Sequence, residues 1–290
     1  MPWTNYHTHS HFSDGSSAPE DYVISAMEKG FPALGFSEHS PVPFENSWSC
    51  QPDSAPEYLA EIQRLKETYA GRIQIYMGLE QDYIPFVTRD FDELTKECGL
   101  EYCIGSVHFA RNPKNQKLWF IDGPRSVFID GIADIFGGNL EEGIFMYYNQ
   151  INLMIHSQKP DVIGHLDKVK MHNKGDLFQE TDEFYRKAVF RTLDVVKREH
   201  SIVEVNTRGW YTGKAEDWYP SDWILEEMFQ RKIPITLSSD AHDPSNLDSG
   251  FPEVARVLLD IGYREVRIFY DRKWQPAELT GDGIILPQSG

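Results

Sequence analysis

Long apolar runs are what this chain has least of. No stretch of its 290 residues approaches the ~18 consecutive apolar positions that a membrane span requires. The opening segment MPWTNYHTHS has neither a charged n-region nor an apolar stretch, so no secretory signal is expected and the reading is a cytoplasmic protein. Cysteine is scarce as well. Cys50, Cys98 and Cys103 are an odd set without CxxC spacing, which argues against both a disulfide framework and a thiolate zinc site. Cationic side chains are outnumbered: 28 Lys and Arg face 45 Asp and Glu, a formal charge of −17. That balance opposes a nucleic-acid partner, because backbone affinity rests on clustered Lys and Arg. A small substrate fits better, and a phosphate stays admissible because divalent cations add local charge that the formal count omits. No internal repeat or composition shift marks a boundary. Residues 1–290 are therefore expected to form a single domain, at a length normal for one α/β barrel of ~250 residues.

What the chain does have is histidine in a dense opening pattern, Asn5-Tyr-His-Thr-His-Ser-His-Phe-Ser-Asp14. If Tyr6 to Thr8 end a strand, the period-2 rule sends His7 and His9 to one side, where both imidazoles can reach one ion. Beyond it, β-branched or aromatic stretches with polar C-terminal tips alternate with segments of helical period, a βαβα pattern. Strands are expected at 33–39, 73–80, 102–108, 161–167, 201–207, 233–240 and 265–270. Helices are expected at about 17–29, 54–69, 91–98, 142–158, 181–200, 221–231 and 251–262. Ser17-Ala-Pro-Glu20 and Ser54-Ala-Pro-Glu57 read as capping boxes with the serines as N-caps. Residues 110–143 are punctuated by Asn112-Pro-Lys-Asn, Asp122-Gly-Pro and Gly137-Gly-Asn without a clear period. They read as an elaborated loop over the site.

In a βα barrel the C-terminal ends of the strands open on one face, and reactive groups sit there. That rule collects His7, His9, His39, Glu80, His108, His165, Asp240 and His242, with Asp14 in the first loop. Core histidines scattered by packing would not fall at the same end of every strand.

These motifs resemble the polymerase and histidinol phosphatase (PHP) superfamily over nearly the whole length. The resemblance rests on His7-Thr-His-Ser with Ser13-Asp-Gly, Ser37-Glu-His, Gly78-Leu-Glu, Gly105-Ser-Val-His, Gly164-His, Glu204-Val-Asn and Ser238-Ser-Asp-Ala-His. Within the superfamily, Asp161-Val-Ile-Gly-His-Leu-Asp and Glu204-Val-Asn-Thr, followed by a loop bearing Arg and Lys, are most similar to the histidinol-phosphate phosphatases. The resemblance implies a distorted (β/α)7 TIM-like barrel with three divalent metal ions, zinc, iron or manganese. It places His7, His9, Glu80 and Asp240 on the first ion. Glu80 bridges to a second with His108 and His165, and Asp14, His39 and His242 hold the third. His156 is a rival to His165 but lies in a helical stretch. His11, His172 and His200 match no motif.

The activity so implied is a phosphomonoesterase, with a metal-bridging hydroxide attacking phosphorus in line. The small phosphorylated substrate would be L-histidinol phosphate, an intermediate of histidine biosynthesis. Arg208, directly after a strand, suits a bidentate phosphate contact, and Lys214 is second. The leaving alkoxide would take its proton from Asp240 or His242. Phe44, Trp210 and Tyr211 could stack on an imidazole, and Glu45 could face an ammonium. The competing readings are a nuclease or nucleotide phosphatase on the same metal core, which the acidic charge opposes, and a non-catalytic metal-binding domain. Amidohydrolase barrels share the His-x-His start but add a bridging Lys on a middle strand, where this chain offers Glu80 and His108. The sequence is silent on oligomeric state.

Overall fold

The computed structural model describes residues 2–287. The chain opens with strand β1 (Thr4–Asn5), helix α1 (Pro19–Glu28), β2 (Ala33–His39), α2 (Ala55–Thr68), β3 (Gln74–Asp82), α3 (Phe91–Cys98) and β4 (Tyr102–Ser106). A hairpin of β5 (Phe109–Arg111) and β6 (Leu118–Phe120) follows, then helices α4 (Arg125–Phe136) and α5 (Leu140–Gln158). Alternation resumes with β7 (Val162–Ile163), α6 (Glu183–Glu199), β8 (Ile202–Asn206), the short α7 (Arg208–Tyr211), α8 (Asp222–Arg231), β9 (Ile235–Ser238) and α9 (Phe251–Ile261). Strands β10 (Glu265–Tyr270), β11 (Lys273–Thr280) and β12 (Gly283–Ile285) end the described chain.

Among the described residues, seven strands form one parallel sheet in the order β1-β2-β3-β4-β7-β8-β9. Its two edges meet where Thr8 bridges Ala241. The His9 N–H donates to the Ala241 carbonyl at 2.8 Å, and the Ala241 N–H donates to the His7 carbonyl at 3.1 Å. The result is a distorted (β/α)7 barrel, and its seam runs through the backbone of the histidine motif itself. Every residue of β2 is buried, as is β3 from Ile75 onward. A parallel strand covered on both faces reads as an unbroken run of this kind, without polar alternation.

The strand expected at 265–270 forms, but outside the barrel. As β10 it pairs antiparallel with β11, which pairs with β12, and this small sheet lies across the N-terminal end of the barrel. The Tyr6 hydroxyl donates to the Phe269 carbonyl at 2.9 Å, and Gln74, the first residue of β3, bonds Asp271 at 2.8 Å. Beneath the site the barrel interior is filled by Tyr6, Tyr102, Phe269 and Trp274, with ring centroids 5.3–6.3 Å apart. Gly35 and Gly78 make room for Tyr102: a Cβ on Gly78 would stand 2.5 Å from its ring.

Other expectations need correction. The first strand, Thr4–Asn5, is shorter and earlier than 6–8, and the histidine motif that follows joins the sheet only through the Thr8–Ala241 bridge. Ser17 is not an N-cap. Helix α1 starts after Ala18, whose N–H donates to the Asp21 carboxylate at 3.2 Å. Ser54 does occupy the N-cap of α2, but its hydroxyl donates to the Gln51 carbonyl at 3.0 Å instead of capping. Residues 110–143 are not an irregular loop. Asn112-Pro-Lys-Asn turns the β5–β6 hairpin, Pro124 precedes α4, and Gly137 ends α4 in the left-handed region at φ 60°. Each punctuation cluster marks an element boundary, and between them Phe128, Ile132 and Phe136 recur at i, i+4, i+8 to bury one face of α4.

Candidate metal centre

The eight side chains drawn from strand ends, and Asp14 from the first loop, converge on the C-terminal face of the barrel. His39 and Glu80 are directly paired across β2 and β3. Glu80 divides its two oxygens. Oε2 lies 3.3 Å from His7 Nε2, 3.6 Å from His9 Nε2 and 2.8 Å from His39 Nδ1. Oε1 lies 3.0 Å from His165 Nε2 and 3.5 Å from His108 Nε2, and these two nitrogens are 3.1 Å apart. Asp240 Oδ1 stands 3.3 Å from His9 Nε2 and 3.8 Å from His7 Nε2. On the outer side Asp14 Oδ1 is 3.0 Å from His242 Nε2 and 3.6 Å from His39 Nε2. Ligands ~2.0–2.2 Å from an ion at tetrahedral angles are roughly 3.3–3.5 Å apart, so these spacings are those of ligand shells.

The donor atoms also lack other work. His7 Nε2, both ring nitrogens of His9, His39 Nδ1 and Glu80 Oε2 are buried without a hydrogen bond. Leaving each such group unsatisfied costs about 1–3 kcal/mol. Three overlapping sets lie within ligand reach: His9, Asp14, His39 and His242; His7, His9 and Asp240; and His39, Glu80 and His108. Nitrogen and oxygen donors without thiolate suit zinc, manganese or iron. The residues fit a polynuclear divalent-metal centre.

Three further carboxylates hold these ligands in place. Glu204 accepts from His7 Nδ1 at 2.7 Å and from the His165 N–H at 2.5 Å. Asp82 accepts from both the backbone N–H and Nδ1 of His108, each at 3.0 Å. Glu38 accepts from the Ser10 N–H at 2.9 Å and from the hydroxyls of Ser10 and Ser13, which fixes the loop carrying Asp14. A carboxylate on the far ring nitrogen sets the tautomer and points the near one at the metal. The sequence signal for Glu204 was its place in Glu204-Val-Asn, where period 2 puts it on the same side as Asn206. Asp240 sits at φ 50°, a left-handed conformation that Asp tolerates better than most side chains.

Charge in the metal-free chain follows from this packing. Burial pushes the Glu80 carboxyl up, yet His7, His39 and His108 hold it well below the ordinary carboxylate range. Asp240 is likewise held well below it, burial being outweighed by His7 and Arg208. Asp240 is therefore a carboxylate in the metal-free chain, the form that a metal ligand needs. Burial, reinforced by His242 and His39, lowers His9 well below its usual value, which leaves it neutral as a ligand must be.

A cavity of about 660 Å³ opens over the centre, lined by Asp14, His39, His108, Asp240 and His242 together with Arg208 and Lys214. Arg208 Nη1 donates to the Asp240 carbonyl at 2.7 Å and lies 2.5 Å from His242 Nδ1, and the guanidinium also meets the Tyr211 side chain. The expected aromatic and acidic contacts are misplaced. Phe44 packs edge-on to Phe109 and Trp210 against Trp218. Tyr211 donates its hydroxyl to the Ser239 carbonyl at 3.0 Å, and Glu45 is exposed. None of the four lines the cavity. Trp48, Phe120, Asp122 and Lys168 do. Lys168 is buried with Nζ 2.9 Å from Asp122. It follows His165 by three residues, and a cation so close behind a strand-end ligand was the signal available for it. His172 also reaches the cavity wall, where its Nε2 donates to the Gly123 carbonyl at 2.8 Å. His156 is exposed, 3.4 Å from Glu199, and His11 is exposed against Phe12. Neither belongs to the centre.

A parallel barrel that gathers histidines and carboxylates at the C-terminal ends of its strands defines a metal-dependent hydrolase scaffold. The chain belongs to the PHP family: the PHP domain model matches residues 5–208. It is 31% identical over 263 residues to the Deinococcus radiodurans protein named "Probable histidinol-phosphatase", covering 90% of this chain and 94% of that one. It is 30% identical over 258 residues to the histidinol-phosphatase of Bacillus subtilis, covering 83% and 94%. The histidinol phosphate phosphatase of Lactococcus lactis, solved with zinc, L-histidinol and phosphate, shares the fold with a TM-score of 0.67 at 21% identity, over 97% of this chain and 98% of that one.

Proposed function

We propose that this protein is a metal-dependent phosphomonoesterase that hydrolyses L-histidinol phosphate to L-histidinol and phosphate. The observation that carries the reading is a cavity whose wall joins five metal-capable side chains of the cluster, Asp14, His39, His108, Asp240 and His242, with a buried cation, Lys168, and a half-buried one, Arg208. The named activity of the relatives supports the choice of substrate.

On this reading three ions would be held by His7, His9, Glu80 and Asp240; by Glu80, His108 and His165; and by Asp14, His39 and His242. His39 also meets Glu80 through Nδ1, so the second and third sets are contiguous. Divalent ions bound there supply Lewis acidity, activating water and neutralising charge on phosphate oxygens. The chain's own groups then orient the substrate. Burial works against the Lys168 ammonium, but Asp122, Asp240 and Glu80 keep its pKa above the ordinary value, so it is charged at neutral pH. With the Arg208 guanidinium on the same cavity wall it forms a two-sided cationic clamp for the phosphoryl oxygens. Trp48 and Phe120 give the cavity an aromatic wall, backed by the buried Phe109, which stacks on Phe120 at 4.5 Å and lies 5.9 Å from Trp48. That wall suits a flat imidazole.

Steady-state kinetics on a phosphomonoester panel, with zinc or manganese supplied, test both levels. Preference for histidinol phosphate is expected. Turnover of the panel without that preference would remove the substrate and leave the class. Hydrolysis confined to phosphodiesters would remove both.

A further inference from the structure

Asp122 is the one carboxylate lining the cavity, among the described residues, that belongs to no metal-ligand set. Its surroundings on that wall are cationic: Arg125, Lys168, Lys174, Arg208 and Lys214. It has one oxygen in use and one free. Oδ2 meets Lys168 Nζ at 2.9 Å, whereas Oδ1 has no hydrogen bond among the described residues. Arg125, three residues on, is already committed, with Nη2 on both oxygens of Asp176 at 2.6–2.7 Å and Nε on the His172 carbonyl at 3.1 Å.

The position of Asp122 relative to the metal centre is fixed by backbone. The Ile121 N–H donates to the carbonyl of His108 at 2.8 Å, and Gly123 O accepts from His172 Nε2 at 2.8 Å. Asp122 is thus pinned between a ligand-bearing strand end and the segment after Lys168. The side chain is 27% exposed, so a ligand in the cavity can reach it. Burial would raise its pKa, but Lys168 and then His108 bring it down to about 2, and it is ionised at any working pH.

A dianionic phosphate is served by the ions, Lys168 and Arg208. Nothing in that set answers a positive charge on the organic half of a substrate. We infer that Asp122 is a specificity-determining residue, receiving on its free Oδ1 an ammonium borne by the phosphomonoester close to the scissile bond. Its Oδ2 meanwhile keeps Lys168 turned into the phosphate clamp. This rests on the phosphomonoesterase reading above and extends it to a substrate class, aminoalkyl phosphates, for which the exposed Glu45 cannot serve.

The experiment compares kcat/KM of the metal-loaded enzyme on matched pairs with and without the ammonium. The pairs are histidinol phosphate against 3-(imidazol-4-yl)propyl phosphate, and O-phosphoethanolamine against ethyl phosphate. Wild type should favour the ammonium-bearing member by about 10- to 100-fold, the usual size of a charged hydrogen bond. In Asp122→Asn and Asp122→Ala the ratio should collapse toward unity, and Asp122→Glu should recover part of it. Because the readout is a ratio, loss of Lys168 alignment or of folded protein cancels. A wild-type ratio near one, or a ratio unchanged in the variants, overturns the inference. Rejection of histidinol phosphate with a retained preference for O-phosphoethanolamine sinks the histidinol reading and leaves Asp122 its role.

Discussion

Glu204 accepts a hydrogen bond from His7 Nδ1 at 2.7 Å, with both side chains fully buried. The same carboxylate takes the His165 N–H, the Asn206 amide at 3.0 Å and the Ser238 hydroxyl. It therefore orients His7 and His165, two of the metal-capable histidines, from behind. Glu204→Gln should weaken metal retention by roughly 10- to 100-fold, read by competition with a chromogenic chelator. Retention equal to wild type would mean that His7 is positioned by packing alone.

His7 and His11 lie in one motif but play unequal parts. His7→Ala removes a ligand whose Nε2 has no other partner and should abolish turnover. His11→Ala touches only an exposed ring near the Ser17 carbonyl and should keep most of it. Parallel activity assays at saturating metal decide this, and the reverse ranking would overturn the ligand assignment.

Lys168 reaches the cavity as a buried ammonium. Lys168→Met should lower kcat/KM on phosphomonoesters about 100-fold, in line with loss of a charged donor to phosphate. The inhibition constant for inorganic phosphate should rise in step. A fall in kcat/KM with unaltered phosphate inhibition would assign Lys168 a purely structural role.

The acid side of the stability profile carries a signature of Asp122. Its carboxyl is pushed from about 3.8 in the open chain to about 2 in the folded one by Lys168 and His108, against burial. A depressed folded pKa stabilises above the unfolded value and fades as pH falls through the folded one, at most roughly 2 kcal/mol here. In EDTA-treated protein Asp122→Asn should therefore be less stable than wild type at pH 6. Urea unfolding at pH 3 should show that gap narrowed by about half. A gap that widens toward acid would reverse the assigned sign.

Gly78 has no room for a side chain: a Cβ would meet the Tyr102 ring at 2.5 Å. Tyr102 cannot retreat, because its hydroxyl lies 2.6 Å from the Tyr6 carbonyl and 2.9 Å from that of Phe36. Gly78→Ala should cost about 1–3 kcal/mol, visible as a lowered Tm. Wild-type stability would show that the aromatic floor of the barrel gives way more readily than its hydrogen bonds imply.

The alternation of strands and helices, and the ligands at the strand tips, were legible in the chain alone. A parallel strand's burial makes its apolar run conspicuous, and a charged or imidazole residue ending that run has one face to occupy. His7, His39, Glu80, His108, His165 and Asp240 could be aligned on that basis before any coordinate. Residues 110–143 were misread because glycine and proline mark boundaries as readily as they mark loops, and α4 hides between two such marks.

The cavity wall was decided by tertiary structure. Phe44, Glu45, Trp210 and Tyr211 sit in or beside loops, where no period dictates the direction of a side chain, and they pack or face water elsewhere. Asp122 and Lys168 come from segments 46 residues apart and meet at 2.9 Å only because the β5–β6 hairpin returns the chain beside His108. The metal-capable groups other than Asp14 could be read from the sequence because each sits at or just past the end of a strand, whose geometry is local. The substrate-facing groups could not, because each depends on how distant segments are brought over the barrel mouth.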